Sequence, residues 1–198
     1  EGLVDALSKN FEADSNAYFE IFLDSQPVLE EKEDRIYGKA FLPRKFKIGV
    51  TIEGNNSIDV YTQDLGLVAT FDAQEKLSGY HVLVGGGMGM SHGDSATHPR
   101  LASELGWIPA SAALKVAETI VTTQRDYGNR EDRTFARLKY LLDSRGVSWF
   151  KDEVEKRSGI NFETKAIPDW DTPTYLGWNK HRDGTLTLGF HTLSGRIV

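Results

Sequence analysis

The sequence predicts an α+β fold, a mixed or antiparallel sheet covered by helices, ending in the opening hairpin of a further domain. Three observations carry this. β-rich runs crowd residues 46–84, and past the glycine run at 85–89 the apolar residues change from alternation to helical spacing. Strands grouped ahead of helices, not interleaved with them, mark α+β architecture. Near the end, two alternating runs flank His181-Arg182-Asp183-Gly184, a hairpin turn signal.

In chain order, Leu3, Val4, Leu7 and Phe11 fall at helical spacing and predict a short amphipathic helix over 2–11. Residues 17–23 read as a strand. The stretch 26–38 is polar, with Glu30, Glu31, Glu33 and Asp34 close together, and reads as a solvated loop with nothing to bury. Its acids lack the spacing and central glycine of a calcium loop. Runs 46–53, 57–62, 66–71 and 80–84 read as strands of one meander. Leu114, Ala117 and Val121, then Leu138, Leu141 and Leu142, predict helices over 111–127 and 132–144. Gly146 separates the second from a third helix over 147–157, whose Val147, Phe150 and Val154 share one face, and Gly159 stops it. Residues 160–174, with two prolines and no period, read as a connection. The expected division is therefore a module over 1–163, a linker over 164–174, and a hairpin over 175–198 that starts a second half domain; two strands alone are marginal in water.

With 39% hydrophobic and 26% charged residues, the 198-residue chain has the balance of a globular protein with a real core. No apolar run spans a bilayer and no signal-peptide pattern opens the chain, so a cytoplasmic location with no membrane partner is expected. A net charge of -6 argues against a nucleic-acid partner. Cysteine is absent, which removes disulfides, thiolate metal sites and any self-sufficient Cys-ligated cluster. The five histidines (81, 92, 98, 181, 191) show no ligand-pair spacing, so no metal site is expected on this chain.

Three strings carry chemistry. Leu42-Pro43-Arg44-Lys45-Phe46-Lys47 leads basic residues into a strand, where alternation puts Lys45 and Lys47 on one face and Arg44 with Phe46 on the other. Two converging ammonium groups suit an anion, while a solvated edge strand guarded by lysine is the plainer reading. Gly85-Gly86-Gly87-Met88-Gly89 offers either backbone N–H groups to an anionic ligand or tight packing. Gln124-Arg125-Asp126-Tyr127-Gly128-Asn129-Arg130 offers arginines either to carboxylates or to Asp126.

Taken together, Phe41-Leu42-Pro43-Arg44-Lys45-Phe46-Lys47, the stretch 59–64, Val84-Gly85-Gly86-Gly87, Thr122-Thr123-Gln124-Arg125-Asp126-Tyr127-Gly128-Asn129-Arg130 and Ala136-Arg137-Leu138-Lys139-Tyr140 occur in an order that resembles the sirohaem and iron-sulfur sulfite and nitrite reductases. The resemblance implies that Lys45 and Lys47 lie over the distal face of sirohaem and contact the oxyanion, and that Arg44 and Arg137 bind the macrocycle's carboxylates. Nitrite reductases of the family usually carry Asn where Lys47 stands, which implies sulfite as substrate. It further implies a [4Fe-4S] cluster whose four cysteines follow this segment, two active-site arginines that precede it, and an electron donor, ferredoxin or a flavoprotein. Two other readings stay open here: a nitrite reductase of the same family, and a non-catalytic phosphate- or nucleotide-binding module built on the glycine run and the arginine junction.

Overall fold

A computed structural model describes residues 2–14, 22–23, 26–27, 33–167, 169–171 and 175–192. Its elements are α1 (Gly2–Asn10), β1 (Phe22–Leu23), β2 (Gln26–Pro27), β3 (Ile48–Ile52), β4 (Leu65–Phe71), β5 (Leu77–Val84), β6 (Ser103–Pro109), α2 (Ala113–Tyr127), α3 (Leu138–Arg145), α4 (Val147–Ser158), β7 (Gly177–Lys180) and β8 (Leu186–Gly189). The central sheet runs β3-β4-β5-β6. β3 lies parallel to β4, while β4–β5 and β5–β6 are antiparallel, so the sheet is mixed, one of the two forms expected, and β3 departs from the expected meander.

Alternation along β4 and β5 sorts two faces. Leu65, Leu67 and Ala69 with Tyr80, Val82 and Val84 enter the main core, where Val116, Ala117 and Ile120 of α2, Leu141 and Leu142 of α3, and Phe150 and Val154 of α4 cover them. The opposite face carries a smaller cluster of Val60, Val68, Leu83 and Ala102, with Tyr61, Ile167 and Trp170 packed on it. Residues near the expected connection thus cover the sheet: Trp107 and Glu163 exchange backbone hydrogen bonds at 2.8 and 2.9 Å, and the Asp171 N–H donates to the Gly54 carbonyl at 2.7 Å.

Several boundaries differ from the expectations. The strand expected over 57–62 is a 3-10 turn at Val60–Thr62 entered through Asp59 at φ 51°. Asn side chains explain it: Asn55 Oδ1 accepts the Ser57 N–H and Asn56 Oδ1 accepts the Val60 N–H, so local bonds outcompete a ladder. Strand β6 was not anticipated, because Gly106 at φ 132° and a register shift beside it break its alternation. The helix expected from 132 begins at Leu138, after a 3-10 turn at Arg133–Phe135 capped by the Asp132 carboxylate on the Thr134 N–H. Within the supposed solvated loop, Gln26–Pro27 pairs with Phe22–Leu23, and Ile36 is 2% exposed over a turn whose Ile36 and Tyr37 N–H groups donate to Asp34 Oδ1. The remaining positions of the strand expected at 17–23 lie outside the described residues. The hairpin forms as expected, with Trp178 opposite Leu188 and Lys180 opposite Leu186. Among the described residues no helix is long and apolar enough to cross a membrane.

Candidate functional site

Four separate stretches of chain meet at one cavity of about 590 Å³: the approach to β3, the 3-10 turn before β4, the loop between β5 and β6, and the start of α3. Six of its lining side chains are cations, Arg44, Lys45, Lys47, Arg133, Arg137 and Lys139, and no carboxylate lines it among the described residues. A chain of net charge -6 thus concentrates positive charge at one place.

The four residues singled out in the sequence, Arg44, Lys45, Lys47 and Arg137, all line this cavity. Lys45 and Lys47 are exposed while Phe46 between them packs on the main core, so the alternation holds at these three positions. It fails at Arg44, which was expected on the far side with Phe46. β3 begins only at Ile48 and the chain bends at Pro43 and Arg44, so strand alternation does not reach that far back.

The approach segment is clamped from outside. Arg130 donates to the carbonyls of Ala40, Phe41 and Arg125, and Arg125 donates to the carbonyl of Ile36. Gly128 lies so close to Pro43 that a Cβ there would sit 2.7 Å from the proline ring. The arginine junction is therefore a buttress for the lysine segment. Asp126 takes Arg125 and Arg157 at once, the plainer of its two readings. Burial works to raise the Asp126 carboxyl, yet the two guanidinium hydrogen bonds hold it below the ordinary Asp range.

The glycine run serves packing. Gly85 holds φ +77° where a Cβ would meet Leu142 at 2.0 Å, and a Cβ on Gly87 would meet the Arg137 guanidinium at 2.7 Å. The N–H groups of Gly85, Gly86 and Gly87 already donate to the carbonyls of Asp64, Gln63 and Arg100. These three N–H groups are therefore not free to cradle a phosphate.

Two residues escaped the sequence reading. Asp64, its side chain 1% exposed, pairs with Arg137 Nη2 at 2.9 Å and accepts the Lys47 backbone N–H at 3.0 Å. Burial pushes its carboxyl up, opposed by Arg137 and Lys47. Lys139, 1% exposed, donates to the carbonyls of Gly87, Gly89 and His98, tying both arms of the β5–β6 loop; burial, then Arg137, lowers its pKa. Both lie inside strings quoted above, but neither type of contact has a sequence signature. Arg137 Nε is buried without a hydrogen-bond partner among the described residues, so this guanidinium keeps spare donor capacity. His81 pairs with Glu104 at 2.8 Å and His98 with Asp143 at 3.0 Å.

Residues 7–162 match the family described as the nitrite and sulphite reductase 4Fe-4S domain. The chain is 44% identical over 187 residues to the sulfite reductase (NADPH) hemoprotein beta-component of Paenibacillus sp. strain JDR-2, covering 92% of this chain and 33% of that protein. To the protein of the same name from Staphylococcus saprophyticus it is 48% identical over 166 residues, 82% of this chain and 29% of the other. Its fold is similar to the solved Mycobacterium tuberculosis NirA protein, with TM-score 0.63 and 25% identity over 80% of this chain and 28% of that one. The chain spans about a third of the length of the curated relatives it matches.

Proposed function

Because the chain belongs to the nitrite and sulphite reductase 4Fe-4S domain family, we propose that it supplies the anion-holding wall of an assimilatory-type enzyme that reduces sulfite to sulfide by six electrons. The observation that carries this reading is the cavity with six cations and, among the described residues, no carboxylate. A doubly charged oxyanion and a polycarboxylate macrocycle both demand such a surface. The residues present fit sirohaem: Arg137 has a buried Nε with no partner among the described residues, and Arg44 stands on the same wall. Bound there, sirohaem with its [4Fe-4S] cluster supplies the electrons; the 198 residues contain no cysteine to ligate a cluster.

This chain's own share is electrostatic. Arg44 and Arg137 take macrocycle carboxylates. Lys45 and Lys47, exposed to the cavity on one side of Phe46, hold the oxyanion and stabilise the negative charge that gathers on oxygen as each S–O bond breaks. An ammonium held against the oxyanion is also within reach to give a proton to the departing oxygen. The substrate is sulfite and not nitrite on the strength of Lys47. A partner chain, ferredoxin or a flavoprotein, delivers the electrons, and the enzyme works in the cytoplasm.

The test is a graft. Residues 1–198 replace the matching third of the Paenibacillus hemoprotein component, and sulfite and nitrite turnover are measured. Sulfite turnover is expected to survive, and Lys45→Ala to depress it with the haem still bound. A graft that binds haem and turns over sulfite equally well with Lys45→Ala and Lys47→Asn would remove both lysines from the site.

A further inference from the structure

Asp64 stands behind the cavity wall, not in it, yet it touches three of the stretches that build the wall. Its Oδ2 accepts the Lys47 N–H at 3.0 Å, its Oδ1 accepts an Arg137 Nη2 hydrogen at 2.9 Å, and its backbone carbonyl accepts the Gly85 N–H at 2.9 Å. The next residue closes the clamp, because the Leu65 N–H donates to the Lys47 carbonyl at 3.0 Å. Both polar groups of the Lys47 backbone are therefore held by residues 64 and 65. Through a single carboxylate, the placement of Lys47 is locked to that of Arg137, although these two lie far apart in sequence.

A buried carboxylate is expensive to desolvate, and a well-packed apolar side chain in its place is often neutral or better for stability. An ionised group kept at such a point is best explained by the geometry it enforces on the groups that bind it. We propose that Asp64 is the positioning residue of the anion site, setting the spacing between the Lys47 ammonium and the Arg137 guanidinium by gripping the backbone of one and the side chain of the other. This rests on the anion-site reading given above.

Geometry and charge make opposite predictions here, which makes the role testable. On charge alone, deleting a negative group beside six cations strengthens anion binding. On geometry, Asp64→Asn weakens it: the amide NH2 is repelled by Arg137, and one remaining oxygen cannot serve Lys47 and Arg137 as two do. The experiment titrates sulfate, a dianion throughout the range used, into the full 198-residue chain and into its Asp64→Asn and Asp64→Glu variants. Affinity is read by calorimetry and the Lys47 amide by NMR. Asp64→Asn is expected to bind sulfate roughly tenfold more weakly, the weight of about one charge-assisted hydrogen bond, and to lose the hydrogen-exchange protection of the Lys47 amide. Asp64→Glu, which restores charge and both acceptors, recovers part of each.

Equal or tighter sulfate binding by Asp64→Asn overturns the proposal while leaving the anion site standing. If the wild-type chain binds no sulfate, the anion-site reading falls and takes the proposal with it. Should Asp64→Asn fail to fold, the unmodified chain decides. Across the titration of the Asp64 carboxyl carbon, the Lys47 amide must shift with the same midpoint and sulfate affinity must fall on the acid side. A Lys47 amide or a sulfate affinity blind to that midpoint overturns the proposal.

Discussion

Among single residues, Lys47 is the one on which the proposed choice of substrate rests. Its replacement by Asn keeps a hydrogen-bond donor and removes a charge, so in the grafted reductase the sulfite transition state should lose more than the nitrite one. For a charge contact to the reacting oxyanion the loss is about 2–4 kcal/mol, roughly thirty- to several-hundred-fold in rate. Turnover of the two anions side by side measures it, and an equal loss for both would separate Lys47 from discrimination. Asp126 makes a different prediction. Its carboxyl is depressed despite burial because Arg125 and Arg157 both donate to it. A depressed carboxyl stabilises the fold above its unfolded value near 3.9 and loses that contribution as pH falls through the lower folded value. Melting temperature followed from pH 5 downward should therefore drop less steeply for Asp126→Asn than for the wild type.

At the scale of elements, the cavity depends on loops held by buried cations. Lys139→Met removes the three bonds that gather the carbonyls of Gly87, Gly89 and His98. It should raise hydrogen exchange across the β5–β6 loop and weaken sulfate binding while the β4–β5 amides stay protected; unchanged loop exchange would count against the strap. The helices were legible because Leu138, Leu141 and Leu142, or Val147, Phe150 and Val154, need only local spacing to be recognised. β6 was not, because a bulge at Gly106 erases the period-two pattern that a strand offers the reader. The site divides along the same line. Lys45 and Lys47 stood out as a local cluster of charge, whereas Asp64 gains its meaning from Arg137, 73 residues away. Sequence spacing holds no trace of a contact at that separation.

For the molecule as a whole, burial is unequal. The central sheet has fully buried residues on both faces, including Leu65, Val68, Val82 and Leu83. In contrast, the β7–β8 hairpin leaves Trp178 71% and Leu186 60% exposed. Its amides should exchange orders of magnitude faster than those of β4 and β5, since a two-stranded ribbon opens without disturbing the core. Protection equal to that of the sheet, measured on the same chain, would show that the hairpin is anchored more firmly than its exposure suggests.

The convergence of four distant stretches on one cavity also governs when the site comes into being. Lys47 meets Asp64 across 17 residues and Arg137 meets Asp64 across 73, so the wall closes only after long loops have been drawn in. Helices α2 and α4 form from near neighbours and have no such wait. Anion affinity is accordingly expected late in refolding, after helical circular dichroism has recovered. Any dianion that binds the finished wall and not the open chain should raise the melting temperature in proportion to the logarithm of its concentration, and would then act as the last fastener of the fold.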